Sequence, residues 1–166
     1  MSAIDELLIN AERWAEGFDT PGLPAEPARH VTVVTCMDAR FLPGRVLDVQ
    51  AGDVHILRNA GGVVTDDVLR SIAISQRMLG TREVMIVMHT KCGLRTFTDA
   101  EWRASLEQET GEAPPWREVR TTADVEADVR MSVTMVRDCA FVPHTDVVRG
   151  FVYDVDTGRL NEVTPD

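Results

Sequence analysis

At 166 residues the chain is long enough to bury a core and too short for two domains of ordinary size. Its 44% hydrophobic and 27% charged residues are the balance of a globular protein, which excludes a disordered tail or a collagen-like polymer. With 17 Lys and Arg against 27 Asp and Glu, the formal charge of -10 disfavours long-range attraction to nucleic acid or anionic lipid, and a small or weakly charged partner is expected.

Residues 2 to 18 are predicted to form a helix, capped by Ser2 with Asp5 and carrying an apolar stripe of Leu7, Ala11, Trp14 and Phe18. The acidic start, with Asp5, Glu6 and Glu12, does not read as a signal segment. No apolar run nears the roughly 18 residues of a membrane span, so a cytoplasmic protein is expected. Pro21, Gly22, Pro24 and Pro27 make a stiff linker, which leaves the helix either as an arm for a partner subunit or as a layer on its own domain. Residues 1–28 are thus an arm and linker attached to a single domain spanning 1–166.

The β-branched run Val31 to Thr35 predicts a strand buried on both faces, with Cys36 at its carboxyl end. A second strand is predicted over Val54 to Leu57, followed by a loop of Arg58, Asn59, Ala60, Gly61 and Gly62. Thr65 caps a helix bearing Val68, Leu69, Ile72 and Leu79, which Gly80 stops. Val84 to Met88 is another buried strand, ending at His89. Thr98 and Glu101 form a capping box for a helix closed by Gly111; residues 122 to 139 predict a last long helix; and the tail from Val147 to Val163 reads as a β-hairpin turning at Asp156, Thr157 and Gly158. Strands alternating with helices give an α/β fold: a mainly parallel central sheet flanked by helices, with sites expected beyond the carboxyl ends of the strands.

Cys36 and His89 both stand at such ends, and Cys92 follows His89 by three positions. Two thiolates and an imidazole suit zinc and leave a fourth tetrahedral position open, a catalytic pattern. Spacing alone leaves the other reading equally open, that the cysteines are small buried hydrophobes and His89 a loop histidine. The three cysteines Cys36, Cys92 and Cys139 do not suggest a disulfide framework, and Cys139 reads as core. After Cys36 come Asp38 and Arg40, which can pair so that the carboxylate stays ionised; without a metal they would be an ordinary loop salt bridge. Arg58 offers a further cation beside a flexible glycine backbone. His30, His55 and His144 cannot be placed as proton relays and read as structural.

Three blocks in order carry a resemblance: Cys36-Met37-Asp38-Ala39-Arg40, then His55-Ile56-Leu57-Arg58-Asn59-Ala60-Gly61-Gly62, then His89-Thr90-Lys91-Cys92-Gly93. With Thr65 to Ser71 and Arg149 to Asp154, they make the chain resemble the β-class carbonic anhydrases, in particular their short bacterial and archaeal branch. The resemblance implies a zinc ion held by Cys36, His89 and Cys92, a dyad of Asp38 and Arg40, and reversible hydration of carbon dioxide to bicarbonate. It further implies Asp38 as a fourth ligand in a closed resting form, and dimers or paired dimers with the N-terminal helix reaching across the partner. Lys91 departs from the acidic residue that many members carry there. Because two thiolates cancel the formal charge of the zinc, activity rising toward alkaline pH is expected. Hydrolysis of carbonyl sulfide or carbon disulfide on the same scaffold, and a catalytically silent zinc-stabilised binding module, are the rival readings.

Overall fold

The structure, a computed structural model, describes residues 1–116 and 123–164. Helix α1 (Ala3–Glu16) begins at a reciprocal capping box in which Ser2 and Asp5 satisfy each other's backbone N–H groups, and it ends at Gly17. Strand β1 (Val31–Cys36) is followed by the short helix α2 (Pro43–Val46), strand β2 (His55–Asn59) and a 3-10 turn at Ala60–Gly62. Helix α3 (Asp66–Leu79) starts where the Thr65 hydroxyl accepts from the Val68 N–H and stops at Gly80, whose φ of 72° suits a residue without a Cβ.

Strand β3 (Glu83–His89) leads through a 3-10 turn at Gly93–Thr96 into helix α4 (Asp99–Thr110), which carries the predicted Thr98 and Glu101 capping box. Helix α5 (Val125–Arg137) is shorter than the predicted 122–139. Asp124 caps it by accepting from the Glu126 and Ala127 N–H groups, Asp138 ends it, and residue 122 lies outside the described residues. Strands β4 (Val148–Tyr153) and β5 (Leu160–Val163) form the C-terminal hairpin.

The five strands form one sheet in the order β2-β1-β3-β4-β5, parallel except for β5. The expected fold class is therefore observed. Strand β2 lies further along the chain than the predicted 54–57: Arg58 and Asn59 are strand residues, because the ladder with β1 continues to the pairs Thr35 with Arg58 and Cys36 with Asn59. Helices α3 and α5 cover one sheet face, with Ile72 and Val136 packed on Val34, Ile86 and Val148. Phe41, Val46, Leu47 and Val54 cover the other, against Val33, Val87 and Tyr153. Central strands buried on both faces explain the nearly unbroken apolar runs of β1 and β3.

No residue of α1 is buried, which removes the reading in which it packs on its own domain; Leu7 is 66% and Trp14 71% exposed. Its linker is pinned to the body by backbone bonds from Ala28 to Gly52 and from Arg29 to Asp53.

Helix α5 lies so close to β4 that a Cβ at Gly150 would overlap the Val129 side chain and press on Val133. Gly150→Ala should therefore destabilise the fold by about 1–3 kcal/mol through overpacking, measured as the shift in a urea unfolding midpoint.

Candidate metal centre

Strands β1 and β3 are parallel neighbours, so their carboxyl ends deliver Cys36 and His89 to the same edge of the sheet. The chain then doubles back through Lys91, which adopts a left-handed φ of 53°, and brings Cys92 to the other two. One ligand atom from each of Cys36, His89 and Cys92 lies within 4.8 Å of the others, all three residues are buried, and the two sulfurs are 4.0 Å apart. Cys139 sits apart, half-buried against the apolar core between α3, α5 and the sheet.

The protonation pattern of this group is set by its surroundings. His89 Nδ1 donates to the Thr90 carbonyl at 2.8 Å, which leaves Nε2 as the unprotonated nitrogen of the neutral ring. That Nε2 is buried with no hydrogen-bond partner among the described residues, an expensive arrangement that a cation would relieve. Burial opposes ionisation of Cys36, but His89 and backbone bonds at Asp38 and Gly61 outweigh it and lower the thiol to about 7. Burial instead pushes the Cys92 thiol up. For His89, burial works against charge, and contact with Cys36 and the Thr90 carbonyl reverses it, so its pKa is raised. Two sulfurs and one imidazole nitrogen, buried and convergent, are a donor set that fits a metal ion.

Asp38 and Arg40 pair as expected. Arg40 donates from Nε to Oδ1 at 2.9 Å and from a terminal nitrogen to Oδ2 at 2.7 Å, and its backbone N–H adds a third bond at 2.9 Å. The Arg40 side chain is the main cause holding the Asp38 carboxyl well below the usual carboxylate range. Asp38 Oδ2 is 3.7 Å from His89 Nε2, beside the ligand group and beyond hydrogen-bond range. Arg40 also donates to the Lys91 carbonyl at 2.9 Å and so joins the two loops that bear the cysteines. The Lys91 ammonium meets Asp156 at 2.6 Å, and this exposed pair offsets the charge that departs from the family pattern.

Arg58 has a larger part than the sequence reading gave it. Its guanidinium donates to the carbonyls of Cys36, Asp38 and Phe41 at 3.0, 2.9 and 3.0 Å, and so clamps the whole loop that carries Cys36, Asp38 and Arg40. Asn59, not singled out from sequence, bonds both ways with the Val63 backbone across the glycine turn. Within that turn Gly62 packs on a strand, where a Cβ would lie 2.7 Å from the Cys36 nitrogen, while Gly61 lines the cavity beside Cys36. An arginine just before a Gly-Gly pair was the visible signal, but its targets are carbonyls, which leave no mark in a sequence.

A cavity of about 780 Å³ opens over the group, lined by Cys36, Asp38 and Cys92 at its base and by Met37, Leu94, Phe97, Trp102 and Trp116 on its walls. The remaining histidines lie at the opposite, amino edge of the sheet. His30 precedes β1 and bonds to the Gly80 carbonyl; His55 opens β2 and bonds to Ser75 and the Ala25 carbonyl; His144 lies before β4.

The family model described as carbonic anhydrase matches residues 31–160. The chain is 47% identical over 165 residues to beta-carbonic anhydrase 1 of Mycobacterium tuberculosis, covering 99% of this chain and 100% of that protein. It is 31% identical over 160 residues to a carbon disulfide hydrolase of Acidianus, covering 81% and 77%. Among solved structures, a carbonic anhydrase from Streptococcus mutans superposes with a TM-score of 0.91 at 38% identity, over 99% of each chain.

Two outcomes are expected. Arg58→Lys keeps the charge but cannot reach three carbonyls at once, so it should cost about 1.5–3 kcal/mol in denaturant unfolding. In metal-free Cys139→Ser protein, which leaves only the two site thiols, thiolate absorbance should rise in two steps, the first from Cys36 as the pH passes about 7 and the second, from Cys92, above the ordinary thiol range; adding Cys36→Ser should delete the first.

Proposed function

The chain belongs to the carbonic anhydrase family, in its β class, and on that premise we propose that it reversibly hydrates carbon dioxide to bicarbonate and a proton, with zinc held by Cys36, His89 and Cys92. The observation that carries the reading is the buried Nε2 of His89, which has no hydrogen-bond partner among the described residues and lies with two sulfurs beside a carboxylate that an arginine keeps ionised. Zinc, when bound, supplies Lewis acidity, which makes water a nucleophile near neutral pH.

The protein groups do the rest. Asp38 is ionised and therefore only accepts hydrogen bonds; it orients a water in the cavity so that the oxygen lone pair faces the incoming carbon dioxide. Arg40 occupies both Asp38 oxygens, which keeps that carboxylate in the dyad role and out of the fourth ligand position. The apolar walls at Met37, Leu94, Phe97 and Trp102 accept an uncharged triatomic substrate more readily than the bicarbonate anion and so favour release of product.

The same walls support a second reading, hydrolysis of carbon disulfide or carbonyl sulfide, in keeping with the likeness to carbon disulfide hydrolases. We rank it below hydration because the carbonic anhydrase of M. tuberculosis is the nearer of the two reported relatives.

The exposed apolar side of α1, with Ile4, Leu7, Leu8 and Trp14, supports a homodimer or dimer of dimers in which residues 1–28 serve as an arm on one domain. Free Cys36, Cys92 and Cys139 suit the reducing cytoplasm, and no helix among the described residues is long and apolar enough to cross a membrane.

Stopped-flow hydration measured with zinc content on the same sample tests the proposal. Zinc at one ion per chain and a rate that rises toward alkaline pH are expected, with chelation abolishing both. Arg40→Ala, assayed at saturating zinc, should lose about a hundredfold in kcat; an unchanged kcat would remove the dyad role. Sulfide release from carbon disulfide without carbon dioxide hydration would favour the second reading.

A further inference from the structure

Cys36 and His89 stand at the ends of hydrogen-bonded strands and inherit the stiffness of the sheet. Cys92 has no such ladder. It heads the 3-10 turn Gly93–Thr96, so its sulfur is placed only as well as that turn is. Inside the turn the Arg95 N–H donates to the Cys92 carbonyl at 3.1 Å, and the Thr96 hydroxyl donates to the Gly93 carbonyl at 2.7 Å. These bonds make the turn one stiff body without fixing that body to the rest of the protein.

Fixation comes from either side. Before Cys92, Arg40 holds the Lys91 carbonyl. After it, the Arg95 guanidinium runs behind the ligand group, passes 4.0 Å from the sulfur of Met88, and meets Asp128 Oδ2 at 2.7 Å. Asp128 lies in the first turn of α5 with its side chain 0% exposed, and the Arg95 side chain is only 15% exposed. Such a pair is a poor device for stability alone, because taking both charges out of water costs about as much as their attraction returns, and apolar residues of the same volume could pack α5 on the turn. What apolar residues cannot supply is direction: a charge-assisted bond sets one distance and one orientation.

We propose that Asp128 and Arg95 are positioning residues of the metal centre, with Asp128 acting through Arg95 to hold the Cys92 sulfur at the spacing from Cys36 and His89 that a metal ion requires. The proposal rests on the zinc-site reading above. Its range is the link from a buried helix turn to a single ligand on a loop outside the sheet.

The deciding variant is the double replacement Arg95→Met with Asp128→Leu, which removes both charges together and leaves neither buried alone. Thermal melting at saturating zinc reports the fold, chelator competition reports zinc affinity, and the thiolate-to-cobalt absorption of the cobalt-substituted protein reports the geometry of the sulfurs. The double variant is expected to melt within a few degrees of the parent, to bind zinc about 10- to 100-fold more weakly, and to show a shifted cobalt band. Parental zinc affinity and an unchanged cobalt band in that variant overturn the proposal. If the double variant melts far below the parent, Asp128→Asn, which keeps the side-chain volume, decides by the same two readouts and overturns the proposal if neither moves. Parent protein that binds no zinc is a different failure, since it removes the zinc-site reading and this proposal with it.

Discussion

Parallel pairing of β1 with β3 is the constraint on which the rest of the molecule depends. The ladder from Val31 opposite Glu83 to Thr35 opposite Val87 makes two segments far apart in sequence end side by side, with Cys36 one position beyond Thr35 and His89 two positions beyond Val87. A slip of one residue would turn every side chain of a strand to the other face. Such a slip is resisted on both faces at once, because Val34 and Ile86 belong to the core under α3 and α5 while Val33 and Val87 belong to the core under Phe41. The spacing of the candidate ligands is thus inherited from apolar packing that has no chemistry of its own.

What the sheet cannot do is carry the loops that leave it. Cys36 opens a loop that three carbonyl bonds from Arg58 hold, and the close approach of Gly62 to the Cys36 peptide seals its start. On the other loop, Lys91 adopts a conformation that few residues other than glycine adopt, and its carbonyl is thereby offered to Arg40. Backbone strain and an imidazole nitrogen without a partner among the described residues gather at one place. Both costs are met by cohesion elsewhere, and an ion bound there would couple its own binding to the stability of the fold.

Much of this was legible in the sequence, for identifiable reasons. Strand ends followed by Cys or His, caps at Ser2, Thr65 and Thr98, and stops at Gly80 and Gly111 are local signals, and the structure realises each of them. The pairing of Asp38 with Arg40 needed only their separation of two residues. Arg58 was noticed and its task was not, because a guanidinium that bonds carbonyls depends on tertiary shape and not on residue type. Asp128 and Arg95 were invisible for a related reason: each looks like an ordinary charge on a polar helix or turn until the fold buries the pair. Strand β2 reaches Asn59 because a ladder partner was available, which outweighs the turn preference of Asn and of the glycines that follow.

The choice of arginine around this site follows from geometry. In a chain with a formal charge of -10, a cation placed for long-range attraction would be largely offset by its surroundings. Arg40, Arg58 and Arg95 instead act at contact distance, against a carboxylate and a carbonyl, against three carbonyls, and against a buried carboxylate. Each task needs several donors in a fixed plane, and a lysine, as a point charge on a flexible stem, would satisfy one partner and lose the others. Lys91, the lysine beside the candidate ligands, pairs outward with Asp156 in solvent and contributes its backbone carbonyl to the site. Rigidity at the centre therefore comes from the planarity of three guanidinium groups: Arg40 and Arg58 hold loops that the sheet leaves unsupported, and Arg95 ties the turn after Cys92 to α5.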